Sequence, residues 1–152
     1  MYNETTGLVY SPVMPMNIDQ NLISAAAYIF EQENGVKLSD DEIRDVENSE
    51  LNCVTPDEIE NILKNYIEEN VNKGGVLLGS AIFALGKRFN SNNKAFFISI
   101  LKRLIESDID SAYQSMIALE NIGERIFFGS ASLLEKERNY KLGIEYLEKN
   151  QA

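Results

Sequence analysis

"TPDEIENILKNYIEENVNKGGVLLGSAIFALGKRF", residues 55–89, decides the fold class of this chain. Thr55 offers a side-chain oxygen to a free backbone N–H of a first helical turn, and Pro56 follows where no donor is needed. Glu58 completes a capping box, and Ile59, Ile62, Leu63, Tyr66 and Ile67 then recur at i, i+3, i+4, i+7 and i+8. That is one apolar stripe on an amphipathic helix. Gly74-Gly75 breaks the pattern, and "GGVLLGSAIFALGKRF" is apolar nearly all round, which predicts a central, buried helix.

The same signals extend in both directions. Upstream, "NIDQNLISAAAYIFEQENG" predicts a helix capped by Asn17 or Asp19 and ended at Gly35, with Leu22, Ala26, Ile29 and Phe30 on its apolar side. Ser39 and Glu42 have capping-box spacing ahead of a short helix whose apolar stripe is only Ile43 and Val46. Downstream, "NSNN" is a turn, and "KAFFISILKRLIES" places Phe97, Ile100, Leu101, Leu104 and Ile105 on one face. Asp108 or Asp110 caps the next helix, built on Met116, Leu119 and Ile122, with Ile126 beyond if the helix continues. "SASLLEKERNYKLGIEYLEKN" reads as one interrupted helix or two short ones. No run sustains period-two alternation, so no sheet is expected. The expected class is all-α: a single-domain helical bundle or a short α-solenoid of about seven helices. Residues 1–16 form an extended arm, 17–72 the acidic helices, 75–127 two helix pairs, and 128–150 the C-terminal helix or helices.

The pairing within 75–127 comes from internal similarity. Ala84-Leu85 and Ala118-Leu119 lie 34 residues apart, and Leu85-Gly86 and Ile122-Gly123 lie 37 apart, each closing a helix across the intervening "KAFFISILKRLIES". This resembles HEAT-like helical repeats, and "NYKLGIEYLEK" resembles the second helix of a tetratricopeptide-type pair.

Composition narrows the function classes. The 152 residues are enough for one domain, which buries roughly 70% of the surface of the unfolded chain. Hydrophobic residues are 44% and charged residues 25%, so a packed domain is expected. A single cysteine, Cys53, makes no internal disulfide. "MYNETTGLVYSPVMPM" has neither the basic start nor the apolar run of a secretory leader, and no stretch reaches the ~20 apolar residues of a membrane span. A cytoplasmic protein is the expectation. With no histidine, triads, histidine bases and the usual transition-metal ligands are excluded. No cofactor and no catalytic function are expected. A net charge of −10 and a pI near 4.5 argue against nucleic-acid binding and suit a basic partner.

That charge is segregated. Residues 31–72 hold thirteen acids and three bases, whereas 73–105 hold six bases and no acid. "DDEIRDVENSEL" has the oxygens of a calcium loop without its turn glycine, and no acid is set apart in an apolar pocket for acid–base work. "NKGGVLLGSA" follows no strand and lacks the Lys-Ser/Thr ending of a phosphate loop. Cys53 has no histidine to serve as its base, and a buried or semi-buried structural thiol is expected. Asp57, Glu58 and Glu42 serve their own helix starts. Asp41, Asp45, Glu47, Glu50, Glu60, Glu68 and Glu69 exceed what capping requires. They are either a solvated face or a surface that receives a basic partner. Lys87-Arg88 and Lys102-Arg103 complement helix ends or pair with the acidic helices internally. Tyr2 and Tyr10 on the arm are expected as exposed anchors.

The acidic "SDDEIRDVENSE" together with "ALGKRF" and "ALENIGE" resembles immunity proteins of bacterial contact-dependent growth inhibition and related polymorphic toxin systems. The resemblance implies tight binding to one cognate toxin, commonly a basic nuclease, whose active site is plugged or covered. A non-catalytic helical scaffold or adaptor for a basic partner is the alternative, and an enzyme ranks third.

Overall fold

The computed structural model describes residues 16–151; the expected arm, with Tyr2 and Tyr10, lies outside them except for Met16. Seven α-helices make up the described chain: α1 Gln20–Glu33, α2 Asp40–Glu47, α3 Pro56–Asn70, α4 Val76–Gly86, α5 Lys94–Leu104, α6 Ile109–Asn121 and α7 Lys136–Lys149. A 3-10 turn over Ser91–Asn93 precedes α5, and no strand is present among the described residues. The all-α class read from the sequence holds.

The helix starts follow local chemistry. Asp19 accepts the Leu22 N–H, and Ser39 and Glu42 exchange both bonds of a capping box. Thr55 accepts the Glu58 N–H, but its hydroxyl donates to the Glu58 carboxylate, so the second half of that expected box is absent. Gly74 and Gly75 both take positive φ, +68° and +101°, which turns the chain sharply from α3 into α4. The carboxylate of Asp108 accepts the Ser111 N–H at the start of α6 and the Gly75 N–H ahead of α4. One aspartate thus ties two helix starts together. Asp108→Ala is expected to lower unfolding free energy by about 1–2 kcal/mol in urea denaturation, more than a lone cap would.

Packing centres on α4. Gly79 lies against Ser111 and Gln114, and Gly86 against Ala118 and Asn121, so α4 and α6 run side by side in the same direction. The 34-residue similarity between "ALGKRF" and "ALENIGE" therefore corresponds to two neighbouring parallel helices. α1 ends beside the end of α4, where the Asn34 side chain donates to the Lys87 and Arg88 carbonyls. α3 packs on α1 and α4; α5 packs on α6 and α7. The core runs through these helices, with Phe30, Phe97, Phe127, Ile59, Leu63, Ile82 and Leu85 fully enclosed.

Two expectations are corrected. The continuation to Ile126 is not helical: α6 stops at Asn121, and Ile126 and Phe127 are buried from a loop whose N–H groups donate to Glu120. The C-terminal segment is one helix, α7, after an irregular stretch in which Ser132 is held by Asn139.

Candidate functional site

The acidic residues fall into two groups with different fates. On α3 they meet the basic segment. Arg88, just past the end of α4, reaches Glu33 at 3.3 Å, Asp57 at 2.6 Å and Glu60 at 3.2 Å. Glu60 is 8% exposed and also accepts from the amides of Asn90 and Asn93, with Lys64 at 3.5 Å. Burial pushes the Glu60 carboxyl up, but Asn93, Asn90, Lys64 and Arg88 together outweigh it and hold the group below its ordinary value. Glu68 pairs with Arg103 at 2.6 Å. Glu60, expected on an outward acidic face, is instead a structural carboxylate, because burial without these partners would be prohibitive. Of the four basic residues expected to pair internally, Lys87, 3.8 Å from Glu31, Arg88 and Arg103 do so, whereas Lys102 forms no ion pair among the described residues.

On α2 the acids stay in solvent. Residues 40–50 hold six carboxylates and one arginine, and α2 contributes no buried residue. Among the described helices it packs on α1 alone and never meets α3. Ile43 of its expected stripe is exposed; Val46 does pack against the core, and Leu51, which follows the helix, is buried. Asp41 pairs with Arg44 within the helix. Asp45, Glu47 and Glu50, like Glu69 on α3, form no ion pair among the described residues. Asp45 and Glu50 are brought together: with Asp19, Asn17, Asn48 and Ser49 they line a polar groove of about 530 Å³ between α1 and α2.

A second groove, of about 570 Å³, lies between α1, α4 and α6. Ser24 and Tyr28 of α1 line both, so they form the ridge between the two. This second groove corrects the expectation that α4 is buried all round. Leu78, Ile82 and Leu85 face the core, Gly79 and Gly86 face α6, but Val76 is 85% and Phe83 41% exposed. Val76, Ser80, Phe83 and Lys87 follow i, i+4, i+7 and i+11, a single open face. Its floor is concave because the lining is small: Ala27, Gly79, Ser80, Ala84 and Ser111 leave the space that larger side chains would fill. No sequence signal marked this face, since an apolar position reads the same whether or not a neighbour covers it.

Cys53 is exposed, not buried or semi-buried as expected, and stands at φ +71° in the turn before α3. Tyr146 is buried, and its hydroxyl donates to Glu124 at 2.7 Å. Burial first, and Glu124 second, push that phenol well above its ordinary range. Among the described residues no three histidine, cysteine, aspartate or glutamate side chains gather in a group able to hold a metal ion. No described helix is long and apolar enough to cross a membrane. Comparison with known family models, curated proteins and solved structures finds no match for this chain.

Proposed function

We propose that this protein is an immunity-type inhibitor: a non-catalytic cytoplasmic domain that binds one basic partner protein, a toxin of nuclease character, and covers its active site with the acidic surface of α2. The observation that carries this reading is the contrast between α2 and α3. The α3 acids are partly neutralised within the molecule, whereas α2 and the turn behind it keep a net charge of −5 over residues 40–50 and bury almost nothing. Asp40, Asp41 and Glu42 favour the helix start, but Asp45, Glu47 and Glu50 add like charge without an ion pair, and α2 returns little packing energy in exchange. A surface that costs stability and leaves carboxylates free suits the capture of a cationic cleft, where it steers encounter and pairs with lysine and arginine.

The test is co-expression with any toxin-like product encoded beside it, read as cell growth, together with association kinetics on the purified pair. Reversing Asp41, Asp45, Glu47 and Glu50 to lysine is expected to leave unfolding free energy within about 1 kcal/mol of wild type, because none is buried. Association should slow by about tenfold or more at low salt and lose most of its salt dependence. Capture without growth protection would favour an adaptor for a basic partner. Unchanged association by the reversed variant would return α2 to the role of a solvated face.

A further inference from the structure

We infer that the groove between α1, α4 and α6 is a docking site for an amphipathic, basic helical segment of a partner protein. Its apolar side chains enter this groove, and its lysines or arginines reach across the Ser24–Tyr28 ridge into the acidic groove beside α2. The inference rests on the reading of the partner as basic, and adds where the affinity comes from.

The surface is built in two halves that share a wall. One half has an apolar open face, Val76 and Phe83, over a floor of small residues, and its size is that of an ordinary ligand cleft. Lys87 lies eleven positions after Val76, so the open face is about 16 Å long, the length of three helical turns. Three turns present one side chain each at i, i+4 and i+7, the pattern by which an amphipathic helix occupies a groove. The other half is acidic on every charged position: Asp19, Asp45 and Glu50 line it, with no lysine or arginine. The apolar groove is itself edged by Asp108, Asp110 and Glu31, and its one cation, Lys87, pairs with Glu31. Asp108 accepts the Gly75 and Ser111 N–H groups, Asp110 pairs with Lys136 and Asp19 caps α1, so the carboxylates that a neutral or acidic segment would leave without a partner are Asp45 and Glu50. A basic amphipathic segment satisfies both halves, so charge complementarity selects this occupant. Carboxylates alone would set rate and specificity; the apolar anchors hold the complex.

The test uses the full chain and a synthetic 18-residue peptide with leucines along one helical face and lysines on the other. One control replaces the leucines by serine and another the lysines by glutamate. Binding is read by fluorescence anisotropy. The expected result is micromolar binding of the first peptide only. Ser80→Trp, which fills the groove, and Phe83→Ser, which removes its apolar wall, are each expected to weaken it by about tenfold. Both sites are partly open to solvent, and circular dichroism confirms that the variants fold. Asp45→Lys with Glu50→Lys is expected to weaken it about fivefold at low salt and much less at high salt.

No binding by wild type, or binding indifferent to Ser80→Trp, overturns the inference and leaves the toxin-capture reading to its own charge-reversal test. Conversely, groove-dependent peptide binding combined with charge-independent toxin capture upholds the docking site and returns α2 to the role of a solvated face. A concentration-dependent dimer abolished by Ser80→Trp would assign the groove to a second copy of the chain and overturn the inference. So would tighter peptide binding by a Leu8→Ser, Tyr10→Ser variant, which would assign the groove to residues 1–15.

Discussion

Arg88→Ala is expected to lower the unfolding free energy by about 2–4 kcal/mol, the low side of what removing one partner of a buried ion pair costs, since Arg88 keeps some solvent contact. For a domain of this size that is a fall in Tm of roughly 8 °C. Three carboxylates on two helices lose their common partner: Glu33 at the end of α1, and Asp57 and Glu60 at the start of α3. Asp57 can rehydrate, but Glu60 stays buried with Asn90, Asn93 and Lys64 as its remaining partners. The guanidinium also covers the ring of Phe30 at 5.9 Å, so packing is lost with the charge. Arg88→Lys should recover little, because one ammonium cannot address three carboxylates from a planar fork.

The same site has a pH signature with a definite sign. Glu60 in the fold sits below its ordinary value of 4.5, so its contribution is present above that pH and is lost as pH falls through the lowered value. In Arg88→Ala, burial is less opposed, the folded and unfolded values draw together, and this part of the acid-side loss shrinks. Urea midpoints at several pH values between 3 and 7 check it. Wild type should lose more stability below 4.5 than the variant does, and Glu60→Gln should abolish the difference between them. Equal acid sensitivity in wild type and Arg88→Ala would remove Arg88 from the account of Glu60.

Gly86→Leu is expected to cost about 2–3 kcal/mol for a different reason. A Cβ at Gly86 would stand 3.0 Å from the Ala118 Cβ and 3.2 Å from the Ala118 Cα, and the second of these belongs to the backbone of α6. A leucine there forces α4 and α6 apart along the seam that organises the fold. Gly79 lies on the same seam, yet its added Cβ would meet the Ser111 Oγ at 3.4 Å, an ordinary contact. Gly79→Ala is therefore expected to stabilise by up to about 1 kcal/mol through helix propensity alone. Chemical denaturation of the two variants should give opposite signs. A Gly86→Leu protein as stable as wild type would mean that the helices do not approach this closely.

The legibility of the site follows from the range of the forces involved. Capping at Ser39, Thr55 and Asp108 involves neighbours within three residues, so the helix starts could be read from the chain. The stripe Ile59, Leu63 and Ile67 has a period that only a helix can bury, and it is buried. Charge segregation was equally visible, but its meaning was not: Glu60 and Asp45 look alike in a sequence. Glu60 is paired because Arg88, 28 residues away, is folded onto it; Asp45 is left in solvent because α2 touches only α1. Cys53 was misread because no local rule reports whether a turn residue faces the core or the solvent.

The sequence by itself determined the helices, most of their boundaries, the apolar stripes and the unequal distribution of charge, because each depends on spacing along the chain and on chemistry within a turn or two. Tertiary structure alone decided which acids are neutralised, that α4 and α6 lie parallel through Gly79 and Gly86, and that the Val76–Phe83 face of the most apolar helix stays open. Exposure depends on which helices stand beside a residue, and a stripe of apolar positions carries no record of how many of its sides find a neighbour.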